Sequence, residues 1–246
     1  MDNAIYVGLS RQVLLQQELD IAANNLANAD TTGFKFEEML AGADKATPPA
    51  AGGIASTPVT FVTSNGVARD YSQGPLTQTG SPLDVAIDGK GFFQISTASG
   101  PRYTRDGRFS LDPTGKLVTM DGDAVQGNGG DITLDPKKGP VAISETGVIS
   151  QGGQQVGQLS VVTFDSLAAL SKDGGNLYRN DSNLTPTPST AQVKQGMLEG
   201  SNVQPVVQIT RLIEISRAYD AISSMMSDTA NLSNTAVQKL GAVNAS

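Results

Sequence analysis

Three aspartates, Asp84, Asp88 and Asp106, are the first candidates for chemistry in this chain. Two carboxylates flanking a bond would suit acid–base hydrolysis. Aspartates among turn residues, however, ordinarily bond their own backbone and serve the turn. Asp121-Gly122-Asp123 opens like a calcium loop, but Val125 stands where a third ligand belongs. Gly89-Lys90-Gly91 has neither the length nor the flanks of a phosphate loop. Arg102, Arg105 and Arg108 alternate with aromatic residues, a pattern that nucleic-acid binding uses. The chain carries a net charge of −7, and Asp106 and Asp112 stand beside these arginines. They therefore read as a strand face carrying salt bridges, and no nucleic-acid partner is expected. Histidine and cysteine are both absent. That removes the commonest general base, thiolate ligands, thiol nucleophiles and disulfides. No catalytic, cofactor-binding or metal-binding residue is assigned.

The elements around these residues follow from periodicity. The 246 residues are enough for a core, which the 5% aromatic content leaves mainly to Val, Ile, Leu and Ala. Residues 3–28 read as a helix, with Asp2 or Asn3 as its N-cap. Ile5, Leu15, Leu19, Ala22 and Leu26 fall on its 3-4 spaced seam. Asn24, Asn25 and Asn28 crowd the last turns, although asparagine is a mediocre helix former. They serve either as a stop signal or as contacts to something outside the helix. Phe36 to Leu40 reads as a short helical continuation. Gly42 to Pro58, rich in Ala, Gly and Pro, reads as a flexible or extended linker. Residues 83–200 read as all-β, with turn signals at short intervals and a hairpin at Asp88-Gly89. Val156 to Phe164 is the longest strand expected. Residues 202–240 read as a second long helix, capped by Asn202. Its seam runs through Leu212, Ile215, Tyr219, Ile222 and Met226. Val206, Ile209 and Ile213 add a second apolar flank.

Certain strings are more specific. Ala23 to Lys35 has the form A-N-N-L-A-N-x-x-T-T-G-F-K. Gly74 to Phe93 reads G-P-L-x-x-T-G-x-P-L-D-V-A-I-x-G-x-G-F-F, and Tyr103 to Phe109 reads Y-T-R-D-G-x-F. Leu198 to Val203, with Arg217-Ala218-Tyr219, completes the set. Together they resemble the rod and hook family of bacterial flagellar axial proteins. The opening from Asn3 to Ser10 is similar to its proximal-rod members. Gln204 to Thr210 departs from the family, which more often has acidic residues and Met there.

The resemblance implies an α+β fold. Long N- and C-terminal helices would pack as a coiled-coil-like pair with a central all-β domain. Residues 1–35 and 202–246 would form the helical domain, 36–82 a linker and 83–201 the β domain. It implies a structural subunit of the basal-body rod, polymerising into a tube with the helices inside. Other rod proteins, copies of itself and the flagellar type III export apparatus would be its partners. The subunit interface would use Leu19, Asn24, Asn25, Leu26, Asn28, Leu212, Ile215, Tyr219, Ile222 and Met226. Phe36 and Leu40 resemble a short export-docking element. No cleavable signal peptide and no membrane-spanning run are expected, and no direct membrane insertion. The alternatives are a distal-rod or hook subunit, a periplasmic peptidoglycan hydrolase, and a soluble β-domain binding module.

Overall fold

A computed structural model of the chain describes residues 2–45 and 60–243. The chain divides into two compact units. One contains Met1–Ala27, Glu37–Ala68 and Gln204–Ser246; the other contains Asn28–Phe36 and Arg69–Val203.

The first unit is built on helix α1 (Asp2–Ala27), strands β1 (Glu37–Lys45) and β2 (Thr60–Arg69), and helix α2 (Pro205–Val243). Leu15, Ala22 and Ile215 are buried together, and Leu19, Leu212, Ala218, Tyr219 and Ile222 pack against them. Small residues permit the approach of the helices. A Cβ on Gly8 would lie 3.0 Å from Met226 Cγ.

The expected coiled-coil-like pair is not formed, although the α+β class stands. Among the described residues there are only two α-helices, of 26 and 39 residues, and their shared core has three buried side chains. A coiled coil needs apolar knobs at successive a and d positions. Here Gly8 offers no knob, and Gln12 donates instead to the Ser223 hydroxyl at 3.3 Å. Nor does Asn202 cap α2. The helix starts at Pro205, whose fixed φ and missing N–H suit the first helical position.

Phe36 to Leu40 does not continue a helix either. Residues from Glu37 onward form β1, which pairs with β2. The cause is local. The Asn25 carboxamide gives the Glu37 backbone both an acceptor and a donor, so the chain leaves Glu37 extended. Of the Gly42–Pro58 stretch, residues 42–45 lie in β1 and the rest lies outside the described residues.

The second unit is all-β. It contains β3 (Leu76–Gln78), β4 (Val85–Asp88), β5 (Phe92–Thr97), β6 (Gly100–Thr104), β7 (Phe109–Leu111), β8 (Leu117–Thr119) and β9 (Ala124–Gly127). There follow β10 (Gly130–Asp131), β11 (Val141–Ile143), β12 (Val148–Gln151), β13 (Gln154–Gln158), β14 (Val161–Thr163) and β15 (Leu170–Lys172). The unit ends with β16 (Leu177–Asn180), β17 (Thr187–Pro188), β18 (Gln192–Gln195) and β19 (Met197–Glu199). A ten-stranded sheet runs β15-β16-β6-β5-β9-β8-β7, with β10 on β9 and β14 and β17 branching from β5. A three-stranded sheet, β11-β12-β13, and the pairs β18-β4 and β19-β3 complete it.

Two sequence expectations change here. Asp88-Gly89 is not a hairpin, because β4 pairs with the late strand β18. Val156 to Phe164 is not one strand. Ser160 turns its N–H to Gln126 O, and the chain passes from β13 to β14 there. The core is Val85, Ile87, Phe93, Ile95, Val125 and Ile149 with their neighbours. A second cluster joins Phe92, Tyr103, Phe164 and Tyr178. Tyr103 meets Phe164 edge to face at 4.8 Å, the arrangement ring quadrupoles favour.

Candidate functional site

The unusual chemistry of the β unit lies at the end of β19. Glu199 is fully buried there. A buried carboxylate is costly unless its charge and lone pairs are satisfied. Lys35 Nζ donates to its Oε1 at 2.6 Å, and Arg105 Nη1 donates to its Oε2 at 2.9 Å. The Gly74 N–H adds a bond to Oε1 at 3.0 Å. Lys35 also donates to Ser72 O at 2.6 Å, and Arg105 Nη2 donates to Gly89 O at 2.7 Å. The Arg105 guanidinium stands over the Phe92 ring at 5.4 Å.

The backbone closes around this cluster. Gly33 N–H donates to Glu199 O at 2.7 Å, and Gly200 N–H donates to Pro75 O at 2.8 Å. Gly33 has φ +70, and a Cβ there would lie 2.6 Å from Arg105 C. Gly74 is equally confined, since its Cβ would fall on Gly200 O. Asn202 accepts the Phe36 N–H at 2.7 Å and donates to Asp70 O at 2.8 Å. Asn176 donates to Thr32 O at 2.9 Å. The first and last segments of the unit are thereby bonded to one another.

Two cations face one anion, so the cluster holds a net charge of about +1 out of water. Burial pulls the Lys35 ammonium below the ordinary lysine value of 10.5; Glu199 opposes this and Arg105 adds to it. An unfolded lysine keeps the proton that the folded one has released, so unfolding takes up a proton just below that value. Stability attributable to Lys35 therefore rises with pH in the window ending near 10.5. Denaturant midpoints should rise over that window in the wild type relative to Lys35→Met. Parallel pH profiles for the two proteins would contradict this.

The candidate residues from sequence are placed as follows. Asn25 is buried; its Nδ2 donates to Glu37 O at 2.7 Å, and its Oδ1 accepts Glu37 N–H at 2.9 Å. Asn25→Ala should cost about 2 kcal/mol, because a bonded pair of backbone groups loses its partner. Asn28→Ala should cost less, since Asn28 is only half-buried and accepts the Thr31 hydroxyl. Denaturant unfolding of the two variants, with hydrogen exchange at Glu37, would measure the difference. Equal losses would contradict it. Asn24 is exposed and Leu26 half-buried. Leu19, Leu212, Ile215, Tyr219 and Ile222 lie in the contact between α1 and α2, and Met226 lies against Gly8. Phe36 is half-buried and Leu40 is half exposed.

The aspartates serve turns and ion pairs. Asp106 holds Arg108 at 2.6 Å, Asp84 accepts the Thr79 hydroxyl, and Asp88 accepts from Gln73. Arg102 pairs with Asp173 at 2.5 Å. Among the described residues no cluster of acids could hold a metal ion.

Sequence reasoning passed over Lys35 and Glu199, and it read Arg105 as part of a strand face paired with nearby aspartates, whereas Arg105 is buried on Glu199. A signal was present. Each is a charged residue inside one of the specific strings, where the neighbours are apolar or turn-forming. Lys35 ends the first string, Arg105 is central to Y-T-R-D-G-x-F, and Glu199 lies in the C-terminal one.

Comparison with known proteins matches the same segments. The family described as flagella basal body rod protein matches residues 5–35. The flagellar hook protein FlgE/F/G D1 domain matches residues 86–151. The flagellar basal body rod FlgEFG protein C-terminal family matches residues 194–239. The flagellar basal-body rod protein FlgF of Caulobacter vibrioides is 54% identical, over 99% of this chain and 100% of that protein. FlgF of Salmonella typhimurium is 33% identical over 89% of this chain and 91% of its own length. FlgG of Bacillus subtilis is 35% identical over 92% and 94%.

Proposed function

The chain belongs to the family of flagellar basal-body rod proteins, and we propose that it is a structural subunit of the proximal rod. The supporting observation is the identity to a FlgF protein over nearly the whole chain. Its residues form a scaffold rather than a reaction centre. Glu199 takes bonds on both carboxylate oxygens, and the buried cations are also bound to backbone oxygens.

In this reading the subunit joins other rod proteins and copies of itself in the basal body. Val206, Val207, Ile209 and Ile213 are exposed on α2, and Tyr6, Leu9 and Val13 on α1. Such apolar stripes need partners in water. We assign them, with Asn24, Leu26 and Asn28, to contacts with neighbouring subunits. No helix among the described residues is long and apolar enough to cross a membrane.

Imaging basal bodies from a strain lacking the protein tests the assignment. Assembly should stop within the proximal rod. Complete rods would overturn the reading, and a stop beyond the proximal rod would make this a distal subunit. Export through the flagellar type III apparatus belongs to the same proposal, with Phe36 and Leu40 as docking residues. Phe36→Ala with Leu40→Ala should leave a folded β unit and accumulate in the cytoplasm. Wild-type amounts outside the cytoplasm, in cells lacking downstream rod parts, would sink the docking role.

A further inference from the structure

The β unit has a cavity of about 520 Å³ that the buried cluster leaves open to a ligand. Buried Phe92 and Arg105, half-buried Tyr71 and Leu167, and exposed Lys90 line it. The size is that of a recognition pocket, and its lining combines apolar surface with charged and polar side chains. Its charge is opposite to that of the chain as a whole. Arg69, Lys90 and Arg105 contribute positive charge against one carboxylate, Asp70. That carboxylate is already turned to the Ser72 N–H at 2.8 Å and hydroxyl at 2.9 Å. Arg105 is bound to Glu199, so its charge counts only together with Lys35, in a group that is one positive charge in excess. The pocket therefore favours an apolar side chain accompanied by a carboxylate.

The same unit presents that combination elsewhere. Between β8 and β9 the chain turns through Met120, Asp121 and Gly122, with Gly122 N–H donating to Thr119 O at 3.1 Å. Met120 is 66% exposed, more than any other large apolar side chain described in this unit, and Asp121 beside it is exposed. Methionine is unbranched and adapts to irregular pockets.

We propose that the Met120–Asp121 turn of one copy docks in this pocket of the next, with Met120 against the half-buried Tyr71 and Leu167 and Asp121 facing Lys90. Knob and pocket are different patches of one unit, so the contact is heterologous. Repeated, it generates a ring or a helical array rather than a closed pair. The inference rests on the rod reading and names which surface of the β unit joins like copies.

The test uses wild-type basal bodies and a water-soluble carbodiimide, which condenses an amine with a nearby carboxylate with loss of water. A Lys90–Asp121 amide is expected in a band of twice the subunit mass, identified by peptide mass spectrometry. Lys90→Arg keeps the charge and should abolish that link. Met120→Ala should lower its yield several-fold. A dimer band without the Lys90–Asp121 link, or Lys90 linked to a different rod protein, overturns the contact and leaves the rod reading standing. Unchanged yield in Met120→Ala overturns the apolar half of the docking. Wild-type basal bodies that lack this chain overturn the rod reading and the contact with it.

Discussion

Replacing Glu199 by Gln should lower the stability of the β unit by about 3–5 kcal/mol, the cost of leaving buried cations without their anion. Glu199 is fully buried, and its carboxylate takes bonds from Lys35, Arg105 and Gly74. The carboxamide introduced by Glu199→Gln would offer one acceptor oxygen and an amide that points donors at donors. The charge count orders the variants. Removing the Glu199 charge raises the buried charge to two positives, whereas Lys35→Met leaves Arg105 and Glu199 as a neutral pair. Lys35→Met should therefore cost clearly less, although Lys35 lies as deep. Denaturant midpoints followed by circular dichroism would give both values. A Glu199→Gln loss smaller than that of Lys35→Met would contradict the charge argument. A loss within about 0.5 kcal/mol of zero would show that the cluster is not coupled to folding.

Gly33→Ala should be comparably severe for a different reason. The residue holds φ +70, where a side chain costs about 1–2 kcal/mol. Its Cβ would also press on the Arg105–Asp106 peptide at 2.6 Å, and backbone cannot swing aside as a side-chain tip can. Overpacking adds about 1–3 kcal/mol. The same shift would lengthen the Gly33 N–H bond to Glu199 O. Loss of hydrogen-exchange protection at Gly33 should accompany the drop in midpoint. Asn at this position should be milder than Ala, because its side chain tolerates the left-handed region better. If Gly33→Ala unfolds at the wild-type midpoint, the close approach has no energetic weight.

How much could be read beforehand depends on the range of the interaction. Helices α1 and α2 were visible because their apolar periodicity is a local property of the chain. So was the β character of the middle, where glycine and asparagine punctuate short apolar runs. Pairing was not. Asp88-Gly89 carries a hairpin signal, yet β4 finds β18 about a hundred residues later. A dipeptide specifies a bend; which strand lies alongside is decided by packing. The fate of Phe36 to Leu40 shows the same limit. Its spacing suits a helix, and the Asn25 carboxamide holds Glu37 extended.

Family membership was legible because the specific strings are contiguous in sequence. Their meaning was not, because it is a property of their convergence. By itself the sequence determined two long helices, a β-rich middle and the charged residues within its strings. Only the tertiary structure decided that Lys35, Arg105 and Glu199 meet in one buried cluster. Burial makes each charge depend on the others, and no local pattern records which residues will leave water together. It also decided that the helices share a short seam rather than a coiled coil. Gly8 and Gln12 occupy knob positions on α1, and Gln12 meets Ser223 from the opposite end of the chain.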